Sequence, residues 1–265
     1  MHKFLISVLL SFTFSTVSAQ SWEVGGFVGG SGYMGDMNPV KPYKFTNPAF
    51  GGQIKRNLDG YWALKLSLLQ GKIGANDAKS DNLQFRDRNL SFFSPLTEVS
   101  AQAEFNFFRY VPTISEKVYT PYLFTGISYT FFNPKTHFDG DIYELNLYRT
   151  EGQALSDVYK TETLAIPYGA GIKYNITGKW NLIGEIGYRT AFTDFLDDVS
   201  GRYADKSVMT DAVSAALSDR SGETTGVYIG ATGSQRGDFR KRDTYMFVGI
   251  SLTYTFITPK CYVFK

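Results

Sequence analysis

The sequence has few of the residues that usually carry catalysis. It contains one cysteine, Cys261, and two histidines, of which only His137 lies beyond the extreme N-terminus. A single cysteine excludes a disulfide within the chain and leaves a free thiol or an intermolecular disulfide. A catalytic histidine needs a nucleophile or an acid in register, and no nucleophile is indicated near His137, although Asp139 and Asp141 follow closely. We therefore expect a solvated loop histidine, no cofactor, no metal and a protein that is not an enzyme.

The chain also has little excess of positive over negative charge and few long apolar runs. The formal net charge is only +2, and Lys and Arg are dispersed along the chain, which argues against binding to nucleic acid. After the N-terminus no segment approaches the ~20 continuous apolar residues of a membrane-spanning helix. A chain of this kind crosses a membrane only as a closed β-barrel.

Residues 1–19 have the pattern of a secretory signal peptide. Lys3 provides a short charged beginning, residues 4–12 are apolar, and residues 17–19 form a small-residue cleavage site. The apolar stretch is too short to cross a bilayer as a helix. We expect cleavage after Ala19, so that the exported chain begins at Gln20.

What the chain has in abundance is period-two alternation. In residues 244–256, apolar side chains occupy every second position, and small or hydroxylated residues fill most of the others. Seven further segments alternate similarly, and Asp59-Gly60 joins two of them as a tight hairpin turn. The sequence predicts eight strands, at 22–32, 49–58, 61–71, 98–110, 121–132, 165–176, 180–192 and 245–256.

The connections between these strands alternate in length. Each odd-to-even connection is long, and each even-to-odd connection is shorter. Outer-membrane barrels have short periplasmic turns and long external loops. We therefore predict an all-β fold, an eight-stranded antiparallel transmembrane β-barrel over residues 20–256, with both termini periplasmic and residues 257–265 as a periplasmic tail. The main alternative, a soluble lipocalin-like barrel, would direct its apolar residues inward and would not need such long loops.

The predicted strands separate apolar residues from charged ones. Trp22, Trp62 and Trp180 begin strands at the end with the short turns and indicate an interfacial girdle. An eight-stranded barrel has just enough interior space for side chains, and buried charges must be paired. A closed, salt-bridged interior is therefore predicted from the four acidic and four basic residues on the opposite faces, Glu23, Lys55, Lys65, Glu98, Glu104, Lys173, Glu185 and Arg189.

The long connections carry two further patterns. Asp194, Asp197 and Asp198 form an oxygen-rich cluster of the kind that holds calcium, but their spacing is not that of a known calcium loop, and turn formation is the simpler explanation. Residues 211–219 predict a short helix with Thr210 as its N-cap, and residues 224–230 predict a short extended piece. Long loops on rigid scaffolds often carry function.

Several segments together resemble one family. They are VGGFVGGSGYMGDMN at 24–38, PYLFTGISYTFFNP at 121–134, IPYGAGIKYNITGKWNLIGEIGYRTAFTDFLDDVSG at 166–201 and RGDFRKRDTYMFVGISLTYTF at 236–256. They are similar to the PorG-like outer-membrane barrels of the type IX secretion system of Bacteroidota. The resemblance covers most of the chain, and its most specific parts are GYRTAFTDFLDDVSG and the closing strand.

The resemblance implies a non-enzymatic role in protein secretion and gliding motility. Such barrels associate with a periplasmic ring made by a lipoprotein and its partner subunit, and they help to tie that ring to the outer membrane. The implied partners are thus this ring and outer-membrane lipids. Partner-binding residues are then expected in the tail, at Lys260, Cys261, Tyr262 and Phe264, with an intermolecular disulfide through Cys261 as a hypothesis for an oxidising compartment. A small porin, or an adhesin that acts through its external loops, stays open as an alternative.

Overall fold

The computed structural model describes residues 21–112, 115–209 and 211–256. The predicted signal peptide and the predicted tail, with Lys260, Cys261, Tyr262 and Phe264, lie outside these residues. Within them the chain forms ten strands: β1 (Ser21–Met34), β2 (Phe45–Asn57), β3 (Trp62–Asn76), β4 (Ser91–Asn106), β5 (Tyr119–Phe132), β6 (Lys135–Phe138), β7 (Asp141–Glu144), β8 (Glu162–Thr177), β9 (Trp180–Ala191) and β10 (Thr244–Phe256).

The eight long strands close into one antiparallel barrel. Each pairs with the next long strand along the chain, and β10 pairs with β1 to complete the circle. This seam runs from Trp22 opposite Phe256 to Met34 opposite Thr244. Closure leaves no unpaired strand edge on the barrel wall. The predicted eight-stranded antiparallel barrel is therefore confirmed.

The side chains of β3 show which way the two faces point. Leu64, Leu66 and Leu68 on the outward face are 49–61% exposed, whereas Lys65 on the inward face is only 2% exposed. Successive residues of a strand point to opposite faces, so the period-two pattern places leucine outside and lysine inside. This is the reverse of a soluble barrel, and the same inversion holds along the other long strands except at the start of β10, where Met246 is buried.

The structure extends the predicted strands at the end with the long connections. β4 begins at Ser91 rather than at residue 98, and β3 continues to Asn76, opposite Ser91. A small hairpin, β6–β7, joins the extension where Lys135 pairs with Phe93. Ile73 and Phe92 fill the inside of this extension and are almost fully buried. The barrel wall therefore rises into the loop region on the β3–β4 side.

The long connections also contain short helices at Leu83–Arg88, Leu145–Tyr148, Ala212–Ser218 and Gly222–Thr225. The helix predicted at 211–219 is present, but its N-cap is Asp211, whose side chain accepts a hydrogen bond from the Ser214 amide, and not Thr210. The extended piece predicted at 224–230 begins instead as a helical turn that ends at Gly226, where φ is +74°. No helix among the described residues is long and apolar enough to cross a membrane.

Candidate functional site

The outward face of the barrel is a broad apolar belt. A soluble protein rarely exposes a contiguous apolar patch of more than a few hundred Å², whereas the hydrocarbon layer of a bilayer solvates such a surface. Eleven aliphatic side chains of this belt are each 44–67% exposed: Val24, Val28, Ile54, Leu64, Leu66, Val99, Leu123, Ile127, Ile172, Ile250 and Leu252.

Aromatic side chains border the belt at the end where the short turns lie, hereafter the short-turn end. Trp22, Trp62 and Trp180 are 43–50% exposed there. The Trp62 ring packs 5.0 Å from the Phe105 ring, and the Trp180 ring packs 5.1 Å from the Tyr254 ring. Amphipathic aromatic rings of this kind concentrate at membrane–water interfaces, so the short-turn end marks one boundary of the lipid-facing belt.

Six of the eight predicted interior charges meet in one network near the short-turn end. Glu104 lies at its centre, with its Oε2 atom 2.6 Å from Lys173 Nζ and 3.0 Å from Lys55 Nζ. Its Oε1 atom lies 3.4 Å from Lys65 Nζ, and Lys65 also contacts Glu185 at 2.6 Å. The three lysines therefore share one carboxylate.

Neighbouring polar groups complete this network. Lys55 Nζ lies 3.8 Å from Glu23, whose Oε1 atom accepts a hydrogen bond from Asn181. Tyr122 donates its hydroxyl to Glu185 at 2.6 Å, and Lys173 donates to Asn106 at 2.8 Å. The contacts between Glu104 and the lysines are close ion pairs whose angles do not meet hydrogen-bond geometry. Three acids and three lysines make the network formally neutral.

The other two predicted charges form a separate pair further along the barrel. Arg189 Nε lies 3.0 Å from Glu98 Oε2, and both side chains are fully buried. Tyr245 donates its hydroxyl to the same Glu98 oxygen at 2.7 Å and shares a hydrogen bond with Thr130 at 2.5 Å. This second pair is also neutral, so the barrel interior carries its charges in two balanced layers.

These layers seal the barrel. Glu23, Lys55, Lys65, Lys173 and Arg189 are each 2% exposed or less. A water-filled channel would leave the side chains that line it accessible to solvent. The interior is therefore a packed polar core and offers no open route across the layers that these residues form.

A second buried polar assembly holds the long connections together at the opposite end, hereafter the long-loop end. Arg88, in the connection between β3 and β4, donates to Asp77 at 2.7 and 3.0 Å. It also donates to the carbonyl oxygen of Arg236 at 2.5 Å and to that of Asp36 at 3.2 Å. One side chain thereby joins three of the four long connections.

Arg236 brings in the fourth. Its guanidinium lies 2.9 Å from Glu151, in the connection between β5 and β8, and donates to the carbonyl oxygens of Asp198 and Ser218. Both arginines are nearly fully buried. The long connections therefore form one packed cap rather than four independent loops, and no local pattern in the sequence indicated the position of either arginine.

The aspartates at 194–198 divide between two roles. Asp198 lies in a turn, as predicted, with its amide 3.4 Å from the Phe195 carbonyl oxygen, and its side chain accepts hydrogen bonds from Thr150 and Tyr159. Burial, opposed by the charge of Arg236, raises the pKa of Asp198 to about 6. Asp197 instead meets Asp36 and Asp243, which the sequence analysis did not single out.

The sequence matches a family model described as Domain of unknown function (DUF6089) over residues 2–211. The chain belongs to this family. Within the described residues the DUF6089 match spans β1 to β9 and part of the last long connection. No curated protein matches the chain.

Solved structures of bacterial surface proteins are similar to the chain. Neisserial surface protein A is 9% identical with a TM-score of 0.44, and the match covers 90% of this chain and 99% of that chain. The N-terminal β-barrel domain of Pseudomonas aeruginosa OprF is 14% identical with a TM-score of 0.37, covering 89% and 97%. A major outer membrane protein from Thermus thermophilus is 13% identical with a TM-score of 0.39, covering 90% and 100%.

The surface and the interior together define the class of protein. A closed antiparallel barrel, an apolar outward belt, an aromatic border and alternating short and long connections are the features of bacterial outer-membrane barrels. This DUF6089 protein is an outer-membrane β-barrel. Its candidate functional surfaces are the two ends, because the wall contacts lipid and the interior is filled.

Proposed function

We propose that this protein is a non-enzymatic anchor of the type IX secretion and gliding machinery. In this proposal the short-turn end faces the periplasm and binds the ring made by a lipoprotein and its partner subunit. The sealed interior carries the proposal, because a barrel whose charged layers are packed and neutral is suited to holding a partner rather than to passing a solute. The type IX assignment itself rests on the segments at 24–38, 121–134, 166–201 and 236–256.

The short-turn end is built as a fixed surface. Asp59 Oδ1 accepts hydrogen bonds from the amides of Tyr61 and Trp62, both at 2.7 Å, which fixes the β2–β3 turn. Tyr110 is buried, its amide donates to the Gly60 carbonyl at 2.8 Å, and its hydroxyl donates to Asn181 at 2.7 Å. The turns therefore brace one another and the nearer charged layer of the interior, as a docking surface requires.

Exposed aromatic groups and cationic groups lie side by side on this surface. Tyr61, Phe107 and Tyr119 are 44–52% exposed. Lys117 lies with its ammonium 3.7 Å from the centre of the Phe108 ring. Aromatic residues are enriched in protein interfaces, where their large rigid faces supply contact area. This composition supports docking of a protein with apolar and acidic groups.

The tail would extend this surface. β1 begins at Ser21 and β10 ends at Phe256, both at the short-turn end, and residues 257–265 follow Phe256 in the sequence. We propose that Lys260, Cys261, Tyr262 and Phe264 contact the ring there and that Cys261 forms a disulfide with a ring subunit. The proposed absence of enzymatic activity agrees with His137, which is exposed beside the Phe93 ring at 5.1 Å.

Gentle detergent extraction of the native outer membrane tests the proposal. The protein would be purified through an affinity tag, and its companions would be compared on non-reducing and reducing gels with mass spectrometry of each band. We expect ring lipoprotein in the purified complex and a high-mass band that collapses on reduction. A Cys261→Ser variant should retain the ring proteins but lose that band.

Three outcomes would change the proposal. Ring proteins without a thiol-sensitive band would keep the anchor and discard the disulfide. A Lys117→Glu variant tests the surface at the short-turn end and is expected to weaken recovery of the ring proteins. Asp141→Asn, on the β6–β7 hairpin at the other end, is the control and should leave recovery unchanged. Equal recovery from both variants would move the ring-binding surface away from Lys117. A purified barrel without any ring protein would contradict the anchor role.

The packed cap at the long-loop end supports a second candidate, an adhesin. Four connections fixed by Arg88 and Arg236 present a rigid external surface, and rigidity reduces the entropic cost of binding. The test is binding of the purified protein to host or neighbouring cells. This function would be favoured over the anchor if binding is lost when the external surface of the last long connection is replaced but persists when residues 257–265 are deleted.

A further inference from the structure

Three carboxylates from distant parts of the chain meet under the packed cap. Asp36 follows β1, Asp197 lies beyond β9, and Asp243 immediately precedes β10. Each is 1% exposed, and one oxygen of each lies within 4.8 Å of the oxygens of the other two. Ionised carboxylates taken out of water at this spacing repel one another, so a positive charge or a proton must compensate them.

Within the described ranges no protein cation pairs directly with them: no Lys, Arg or His nitrogen lies within 4.0 Å of these three carboxylates, and the charge of Arg88 acts on Asp36 and Asp197 only from a greater distance. The two buried arginines nearby are engaged elsewhere. Arg88 pairs with Asp77 and reaches Asp36 only through its backbone carbonyl. Arg236 pairs with Glu151. The cluster is thus unlike both charge layers of the barrel, in which every acid has a basic partner.

The hydrogen bonds to the cluster leave oxygen atoms unused. Asp36 Oδ1 accepts from the Asp238 amide, but Asp36 Oδ2 is buried and has no hydrogen-bond partner. Asp197 accepts from the Tyr33 hydroxyl and from the Val199 amide. Asp243 Oδ2 accepts from the Leu196 amide at 2.9 Å. A buried carboxylate oxygen without a donor needs a compensating partner, and a bound cation can be that partner.

A fourth carboxylate lies close by. Asp194 is half-buried, and its Oδ1 atom also has no hydrogen-bond partner. Burial, followed by the charges of Asp197, Asp36 and Asp194, raises the pKa of Asp243 well above its usual value. The same conditions favour a bound cation, since a cation that approaches this group gains from all four charges.

We propose that Asp36, Asp197 and Asp243 bind one calcium ion, with Asp194 and water completing its coordination. Calcium takes six to eight oxygen ligands at about 2.3–2.6 Å in flexible geometry, so two ligands on opposite sides of the ion lie up to about 5 Å apart. A triangle of oxygens within 4.8 Å fits around one such ion. Magnesium binds at about 2.0–2.1 Å and demands near-octahedral geometry, which this irregular set of loop carboxylates does not impose.

The ion would fasten the cap to the barrel rim. Met34 pairs with Thr244, and Thr244 pairs with Thr190, so the three neighbouring strands β1, β10 and β9 end beside the cluster. The ion would link the first long connection to both ends of the last one. This inference concerns the long-loop end and does not depend on the proposed anchor function.

Calcium binding can be measured directly on the mature protein, refolded in a non-ionic detergent without lipopolysaccharide and stripped with a chelator. Equilibrium dialysis with elemental analysis should give one Ca²⁺ per chain. Tb³⁺, used as a luminescent substitute, should show emission sensitised by Tyr33, which contacts Asp197, and Ca²⁺ should displace it. At a hundredfold excess over its dissociation constant, Ca²⁺ should raise the melting temperature by roughly 5–10 °C, and Mg²⁺ by less.

Variants separate this site from general effects of charge. Asp36→Asn should lower calcium affinity by at least about tenfold, because affinity follows the number of charged ligands. Asp219→Asn is the control: Asp219 is buried in the last long connection, which also carries Asp197, but it has its own partner, Lys206, at 2.9 Å, so calcium binding should persist. Stripped wild-type protein that binds no calcium at millimolar concentration would overturn the proposal even if a variant fails to fold, and so would unchanged affinity in Asp36→Asn.

Discussion

Replacing Glu104 by glutamine is the most direct test of how the barrel interior is stabilised. Glu104 is fully buried and lies within 3.4 Å of three buried lysines, Lys55, Lys65 and Lys173. Glutamine has nearly the same size but no charge. The change therefore leaves the packing intact and turns a network of three acids and three lysines into one with an uncompensated positive charge.

The expected cost follows from that imbalance. Removing one partner of a buried ion pair typically destabilises a protein by about 3–5 kcal/mol, because the remaining charge is left without compensation. Glu23 and Glu185 stay in place, but each pairs with one lysine only, Glu23 with Lys55 at 3.8 Å and Glu185 with Lys65 at 2.6 Å. Lys173 loses its 2.6 Å ion-pair partner and keeps the hydrogen bond to Asn106 and the Tyr122 ring, 4.6 Å from its ammonium, but no carboxylate. We expect a loss of about 3–5 kcal/mol in the free energy of unfolding.

Urea unfolding in lipid vesicles, followed by the fluorescence of the three interfacial tryptophans, measures this loss. Adding Lys173→Met to Glu104→Gln restores neutrality, so the double variant should be about 1–3 kcal/mol more stable than the sum of the single effects predicts. Glu116→Gln, on the exposed short-turn end, is the control and should stay within about 0.5 kcal/mol of the native protein. A Glu104→Gln barrel as stable as this control would refute the reasoning.

Three further predictions concern the cap and the interior. Arg236→Met should accelerate limited proteolysis of the long connections without changing unfolding of the barrel. Arg240→Met is the control, because Arg240 is exposed and paired with Asp238 at 2.7 Å. Equal cleavage rates in the two variants would contradict the role of Arg236 in holding the cap together. Burial opposes ionisation of Asp219, but hydrogen bonds from Ser221 and the Lys206 ammonium hold its pKa below the usual value. The ionised Asp219 therefore stabilises the folded cap above the unfolded-state pKa near 4. This contribution to stability is lost as pH falls through the folded-state pKa. Cleavage near residue 219 should therefore accelerate from about pH 7 to about pH 3 in the native protein more than in Asp219→Asn, and identical pH profiles would argue against this. In planar bilayers the purified barrel should show no steady conductance, since the interior layers are packed; a stable open channel would disprove the sealed interior.

The strands could be predicted because their determinants are local. Every second residue of a lipid-facing strand must be apolar, and that requirement is visible in a single sequence. The same periodicity placed the eight charged residues on the inward face, where the structure has them. It could not say which acid meets which base, because Glu104 and Lys173 lie on β4 and β8, which do not pair with each other, and their contact depends on curvature across the lumen.

The errors lie where local periodicity stops being the controlling factor. Met246 alternates with the outward residues of β10, yet it is only 2% exposed. The first long connection folds over the outside of the rim near this position: Tyr188, the pairing partner of Met246, donates its hydroxyl to the carbonyl oxygen of Pro42 at 3.3 Å. The sequence of a strand alternates in the same way whether or not a loop covers its outward face, so this burial could not be predicted from the alternation.

The acidic cluster shows how much of a site the predicted topology already contained. Antiparallel closure of the barrel sets the end of β1 beside the start of β10, so a residue just after β1 must lie near the residue just before β10. Asp36 and Asp243 occupy these positions, and that juxtaposition could have been drawn from the predicted strands alone. The approach of Asp197 could not, because it depends on the fold of a long connection whose position is fixed by Arg88 and Arg236 through contacts between residues up to 148 positions apart. Strand order therefore supplies two ligands of the proposed calcium site, and packing of the cap supplies the third.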